Sequence, residues 1–225
     1  MCGRFIQITD PEKIKARIPG LEIGEGVREK FRQRFNIAPT QDILTALNFP
    51  VPRLTYTRWG LIPFWAADRA VGSRMINARA ETAASKPSFR EPLKKRRCLI
   101  FSDGFFEWKR EGTSKRPYFI RMRDGEPFAF AGLWDSWKDR QTGETVLSST
   151  IITTAANRRL ADVHDRMPAI LEPGMYGVWL NSLPEPADNL ARCIRPYPHD
   201  DLEMVEVSGL VNSPGNDFPE VIRPV

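Results

Sequence analysis

Apolar and polar residues alternate in short runs through the middle of the chain, the period-two pattern of strands with one buried face. Leu54-Thr55-Tyr56-Thr57-Arg58-Trp59 alternates loosely, and Cys98-Leu99-Ile100-Phe101 is an unbroken apolar run suited to a buried strand. Residues 118–120, 128–134 and 145–154 continue the pattern, with a shorter strand around Ile43, Leu44 and Ala46. Asp124-Gly125 and Thr142-Gly143 fall between such runs, where hairpin turns are expected. Near the start, Asp10 and Pro11 read as the N-cap and first residue of a helix. Ile14 and Ile18 share one face of it, and Pro19-Gly20 ends it. Residues 21–34 read as a loop or a short exposed helix, and residues 36–40 as irregular. Further helices are predicted over 80–85, 156–163, 175–180 and 187–194. Strands separated by turns, with helices between only some of them, give an α+β class rather than a regular βαβ alternation.

Composition narrows the setting. The chain has 225 residues, 41% of them hydrophobic, enough to bury a core without disulfides or a metal. No shift in composition marks a linker, so residues 1–225 are expected to form one domain. The three cysteines, Cys2, Cys98 and Cys193, are odd in number and widely spaced, which suits a reducing cytosol rather than a disulfide framework. Met-Cys-Gly-Arg-Phe lacks the layout of a signal peptide, and no run approaches the roughly 18 apolar residues of a membrane span. A soluble, cytoplasmic protein is expected. Lys and Arg outnumber Asp and Glu by 33 to 28, a net +5 that suits a nucleic-acid partner without requiring one.

Candidate chemistry begins at Cys2. Removal of Met1 would leave an amine and a thiol on adjacent carbons of one residue. The amine, with a reference pKa of roughly 7.7–8, can attack an aldehyde to give a Schiff base. The thiol can then close a five-membered thiazolidine, favoured because the step is intramolecular. The plain alternative is that Met-Cys is only a start site. Trp59-Gly60-Leu61-Ile62-Pro63-Phe64-Trp65 suits either a rigid loop offering flat faces to bases or ordinary core packing. Asn77 and Arg79 share a face if their segment is extended, and can together hold a hydroxyl and a phosphate; a surface Arg79–Glu81 pair is the alternative. Arg90, Lys94, Lys95, Arg96 and Arg97 make either a basic lip or a solvated turn. Glu107, set among aromatics in Asp103-Gly104-Phe105-Phe106-Glu107-Trp108, becomes an acid/base group if buried and a plain turn residue if not. His164 lies between Asp162 and Asp165, whose charges favour its protonated form; a helix-capping histidine is the alternative. Neither His164 nor His199 has a partner at metal-ligand spacing, and no metal or cofactor is expected.

The order of these blocks resembles one family. Cys2-Gly3-Arg4, residues 36–40 and 59–63, Asn77-Ala78-Arg79-Ala80-Glu81-Thr82, residues 103–108, 131–134 and 163–170, then Val211-Asn212-Ser213 and the Pro219 region, are similar to the SOS-response-associated peptidase (SRAP) family. The likeness spans nearly the whole chain; residues 21–34 and 181–200 carry no matching motif. It implies a single α+β domain with a strongly curved, mainly antiparallel, barrel-like sheet and peripheral helices. It also implies a monomer that binds abasic sites in single-stranded DNA, especially near a junction with duplex, and meets the nucleoid through that DNA. Cys2 matches the family's crosslinking nucleophile and Asn77 the residue that holds the reacting sugar. Glu107 matches its acid/base carboxylate, and His164 its histidine for ring opening and reversal. Arg4 and Arg79 match phosphate-binding arginines, Trp65 and Trp108 a stacking wall, and Thr153 a lesion contact. Autocatalytic removal of Met1 follows from the same likeness, and a side activity as a DNA lyase from the Schiff base, which makes β-elimination possible. Two rivals stand beside this reading: a cysteine peptidase acting on other proteins through Cys2 and His164, and a non-covalent single-strand binder that does not need Cys2.

Overall fold

A computed structural model describes residues 2–48, 51–181 and 186–225, and within them the fold is built on two sheets. The first, in the order β14-β9-β8-β1-β3, joins β1 (Phe5–Gln7), β3 (Arg34–Ile37), β8 (Gly104–Glu111), β9 (Ser114–Met122) and β14 (Leu202–Glu206). The second holds β2 (Glu22–Ile23), β4 (Asp42–Leu47), β5 (Arg53–Trp59), β6 (Asn77–Arg79), β7 (Arg97–Ser102), β10 (Phe128–Lys138), β11 (Thr145–Ala155), β12 (Arg166–Pro168) and β13 (Ile170–Leu171). Its long strands are antiparallel neighbours in the order β11-β10-β7-β4-β5, and a parallel pairing of Ser148 and Ser149 with Arg58 and Trp59 brings β11 back onto β5. Five strands thereby close into a small barrel. The α+β class and the curved, mainly antiparallel, barrel-like sheet expected from the sequence are what the chain adopts.

The apolar run of β7 shows why the barrel forms here. A strand that is apolar on both faces must be buried on both. Cys98 and Ile100 point into the barrel with Ile43, Trp59, Phe130 and Ile151, while Leu99 and Phe101 point outward to the helices. Those helices, α1 (Pro11–Lys15), α2 (Val27–Lys30), α3 (Ala80–Ala83), α4 (Pro87–Lys95), α5 (Tyr176–Leu180) and α6 (Ala187–Cys193), are short and depend on this packing rather than on their own propensity. The first sheet seals the barrel through aromatic contacts. Phe5 stands edge-on to Trp59 at 4.9 Å and to Phe130 at 5.9 Å, and Phe105 to Phe130 at 5.9 Å. Each such pair adds about 0.5–1.5 kcal/mol beyond its buried area. Gly104 is needed at this seam, because a Cβ there would stand 2.3 Å from the Phe119 ring.

Several local expectations are corrected. Thr142-Gly143 does turn the β10–β11 hairpin, but Asp124-Gly125 leads from β9 in one sheet to β10 in the other, so no hairpin forms. The helix expected over 156–163 shrinks to a 3-10 turn at Leu160–Asp162. There the Asn157 side chain accepts the Leu160 N–H at 3.1 Å and donates to the Tyr197 carbonyl, a local cap that competes with a longer helix. Asn36 and Ile37 finish a strand rather than an irregular segment, and residues 21–34 include β2 and α2, with Val27 buried. The basic stretch is not a turn: it ends α4, with Arg90, Lys94 and Lys95 exposed, and enters β7. Arg97 is fully buried, donating to the Leu93 and Lys94 carbonyls at the end of α4 and to Trp179 and Asn181, and Arg96 pairs with Asp135. No helix among the described residues is long and apolar enough to cross a membrane.

Candidate functional site

Four segments far apart in sequence meet beside the barrel. Pairing of β1 with β8 (Phe5↔Phe105) continues through the Phe106 N–H, which donates to the Arg4 carbonyl at 2.9 Å, so residues 2–4 run along Phe106 and Glu107. On the other side, β6 adds parallel to β11, with Asn77 opposite Ile151 and Arg79 opposite Thr153. Asn77 and Arg79 share one face, as their spacing predicts, with buried Ala78 between them. The Asn77 Nδ2 donates to the Cys2 carbonyl at 2.8 Å. Its Oδ1 is buried and has no partner among the described residues, leaving an acceptor open toward whatever the site binds.

The electrostatics are those of a low-dielectric pocket. Cys2 is fully buried, and its thiol is pushed well above the usual range, first by burial and then by the charge of Glu107. Glu107 is itself only 3% exposed, and burial raises its carboxyl above the ordinary glutamate range while the charge of His164 pulls the other way. Cys2, Glu107 and His164 are thus linked through charge. The turn-residue alternative for Glu107 is excluded, since it lies within β8. The His164 Nδ1 lies 2.9 Å from the Arg166 amide and 2.9 Å from an Asp165 carboxylate oxygen. A neutral ring accepts the amide hydrogen bond at Nδ1 and carries its proton on Nε2; a charged ring turns that contact toward Asp165.

Arg4, Asn36, Trp108 and Asn212 form one rim. Arg4 donates to Asn36 Oδ1 (2.9 Å) and to the Val211 (2.6 Å) and Asn212 (3.3 Å) carbonyls, and burial lowers its pKa. Trp108 Nε1 donates to Asn212 Oδ1 at 2.8 Å. Strand alternation turns Trp108 to the face opposite Glu107, where it packs half-buried against the Phe106 and Val211 cluster. Arg4 and Trp108 therefore shape the rim through the C-terminal segment as well as through any ligand. Asn36, fully buried, holds that segment by donating to the Val211, Ser213 and Asn216 carbonyls. Replacing it by alanine leaves several buried groups unmet at about 1–3 kcal/mol each. Asn36→Ala is expected to lower the melting temperature by about 5–10 °C, at about 2–4 °C per kcal/mol for a chain of this size. Faster hydrogen exchange confined to residues 211–217 would localise the loss.

The aromatic block divides. Trp59 is buried in the barrel, whereas Phe64 and Trp65 are 61% and 51% exposed. Their loop is nonetheless pinned. The Ile62 N–H donates to Ser148 Oγ (2.8 Å), the Phe64 N–H to Asp135 Oδ2 (3.1 Å), and the Trp137 indole to the Ala66 carbonyl (2.8 Å). Gly60, at φ 124°, lies so close to Gly72 that any Cβ would meet its carbonyl at 2.4 Å. Both core packing and presentation of flat faces are realised, on different residues.

Arg79 is exposed, and Glu81 pairs not with it but with Arg166, in a two-point contact at 2.5 and 3.0 Å that holds the Glu81 carboxyl below its usual range. Arg166 also donates to the Thr153 carbonyl at 2.6 Å and to its hydroxyl at 3.3 Å. Thr153 is fully buried, so it meets the site through Arg166 and through its register with Arg79. Arg166, Asn36 and Asn212 were missed as individual site residues because each acts through long-range contacts. Their position inside family-like blocks was the only sequence signal. Cys2, Cys98 and Cys193 are buried and form no disulfide, and among the described residues no group of three or more His, Cys, Asp or Glu is placed to hold a metal ion.

Comparison with known proteins matches this arrangement to a family. The profile of the SOS response associated peptidase (SRAP) family fits residues 1–214. The chain is 44% identical to the abasic site processing protein YoqW of Bacillus subtilis over 226 residues, covering 99% of each. It is 33% identical to the abasic site processing protein YedK of Escherichia coli over 231 residues, covering all of both. A crystal structure of a protein from Bacteroides thetaiotaomicron superposes with a TM-score of 0.88 at 29% identity over the full length of both chains. A match over this length, with the Cys2, Asn77, Glu107 and His164 segments gathered at one place, means that the chain belongs to the SRAP family.

Proposed function

We propose that this chain, acting as one domain and as a monomer, captures abasic sites in single-stranded DNA by a covalent bond through Cys2, in the cytoplasm and at the nucleoid. The observation that carries the reading is the meeting of Cys2, Asn77, Glu107 and His164 from four distant segments, in a chain whose relatives are named abasic site processing proteins. Removal of Met1 by hydrolysis of its peptide bond, which the chain performs on itself, frees the Cys2 amine. Glu107 protonates the ring oxygen of the sugar, which opens to its aldehyde. The amine adds to the carbonyl carbon, and loss of one water gives the imine. The thiol then adds to the imine carbon while its proton passes to nitrogen, closing the thiazolidine. Asn77 Oδ1 receives a sugar hydroxyl. Arg79 and Arg4 hold flanking phosphates, Thr153 acts on the lesion through Arg166, and Trp65 and Trp108 stack bases next to it, including those at a junction with duplex.

His164 takes the proton of the anomeric hydroxyl as the ring opens and serves reversal, and the imine gives a limited strand-cleaving lyase activity. The raised thiol pKa supports this order, amine first and thiol second, over a peptidase that attacks other proteins with a Cys2 thiolate. The test is incubation with a single-stranded oligonucleotide bearing one abasic site, followed by denaturing electrophoresis and intact mass spectrometry. The expected product survives denaturation, lacks Met1, and has the summed mass of protein and oligonucleotide less one water. Absence of any adduct from protein with a verified Cys2 terminus overturns the reading, and salt-sensitive binding without an adduct leaves the non-covalent binder.

A further inference from the structure

The outer wall of the barrel carries a second basic feature, lined by none of Cys2, Asn77, Glu107 and His164. Along β4 and β5 the alternation that turns Ile43 and Trp59 inward turns Leu44, Tyr56 and Arg58 outward. Two hollows of about 390 and 240 Å³ meet on this wall, sharing Asp42 and Tyr56 in their linings. Arg32 and Arg34 border the first, Arg58 and Arg69 the second. Arg34 is already engaged, with Asp217 and with Gln41 at 2.7 Å. Arg32, Arg58 and Arg69 are different: among the described residues none of their side chains makes a hydrogen bond or an ion pair. Guanidinium groups with no acceptor inside the protein keep their donors for an anion from outside the chain.

The carboxylates here, Glu29, Asp42 and Glu144, share the linings with the cations and pair with none of these three arginines. Mixed charges of this kind repel a compact polyanion such as a polyphosphate. They tolerate a chain that carries one negative charge per unit, spaced along its length. The half-buried Tyr56 ring at the junction of the hollows offers a face to a base. We propose that this groove binds the sugar-phosphate backbone of single-stranded DNA at a place separate from the lesion pocket, with Arg32, Arg58 and Arg69 as its phosphate contacts. The proposal rests on DNA being the partner of this chain, but not on the covalent step.

The experiment is fluorescence anisotropy of the full chain with a long, lesion-free single-stranded oligonucleotide in stepped NaCl, comparing wild type, Arg58→Gln, and the triple variant Arg32→Gln/Arg58→Gln/Arg69→Gln. Each phosphate contact on a single strand contributes about 0.7 to the slope of log affinity against log salt. The triple variant is expected to flatten that slope by about 2, and Arg58→Gln alone by about 0.7. Wild-type slopes in both variants overturn the proposal. Thermal unfolding shows whether the triple variant is folded, and if it is not, Arg58→Gln decides. A flattened slope in a chain that forms no lesion adduct would sink the covalent reading and keep the groove. Adduct formation with unchanged slopes would do the reverse.

Discussion

Cys2→Ala is expected to abolish the denaturation-stable adduct with abasic DNA while leaving an imine that borohydride can trap. Alanine at position 2, once Met1 is removed, still bears a free amine, so attack on the aldehyde and loss of water proceed. What disappears is the thiol that closes the ring, a step whose intramolecular advantage corresponds to effective molarities of about 10⁵–10⁸ M. An imine left open returns to aldehyde and amine by hydrolysis. It also acidifies the neighbouring sugar carbon, from which β-elimination expels the 3′ phosphate. The variant should therefore show almost no adduct on a denaturing gel, a trapped band when borohydride is present, and more strand cleavage than wild type. A wild-type yield of stable adduct from Cys2→Ala would remove Cys2 from the chemistry. Loss of the trapped band as well, in variant protein whose mass shows that Met1 is gone, would mean that sulfur, not nitrogen, makes the first bond.

The fold was legible where burial depends on local pattern and obscure where it depends on pairing across the chain. The β7 run announced a strand buried on both sides, and β4, β5, β10 and β11 lie where the alternation placed them. Asp10 caps α1 as its sequence suggests, accepting the Glu12 N–H at 2.8 Å. By contrast, α4 was hidden because its cationic end resembles a solvated turn and Pro92 lies within it. The buried role of Arg97 depends on carbonyls about 80 residues away, on Trp179 and Asn181, which no local pattern encodes. The site behaves the same way. Cys2, Asn77, Glu107 and His164 stood out by chemistry, but taken singly each had an ordinary explanation, and only a family likeness tied them together. What the structure adds is the reason they meet: β1 pairs with β8, and β6 adds onto β11. It also adds the residues that hold the meeting in place, with Asn36 securing the C-terminal rim and Arg166 joining α3, β11 and β12 beside His164.

Glu107→Gln is expected to make the protein slower and more stable at once. The substitution keeps the shape of the side chain and removes its ionisation. A positioned general acid or base contributes roughly 10²–10⁴-fold, so the rate of adduct formation at saturating DNA should fall by that factor. The stability argument follows from the direction of the shift. Burial raises the Glu107 pKa in the folded protein above its unfolded value, so the folded state prefers the protonated carboxyl. Below the unfolded value, about 4.3, the group costs nothing on this account; as pH rises through the folded value the buried charge appears and stability is lost. Glutamine cannot ionise and escapes that loss. Glu107→Gln should melt above wild type at pH 8, by about 2–4 °C for each kcal/mol recovered, and the gap should close as pH falls toward 4. A variant that melts lower than wild type at every pH would make the carboxylate a structural partner. A fast, stable variant would leave Glu107 with no part in the chemistry. Only the slow and stable outcome marks a group held in an unfavourable charge state for the sake of the reaction.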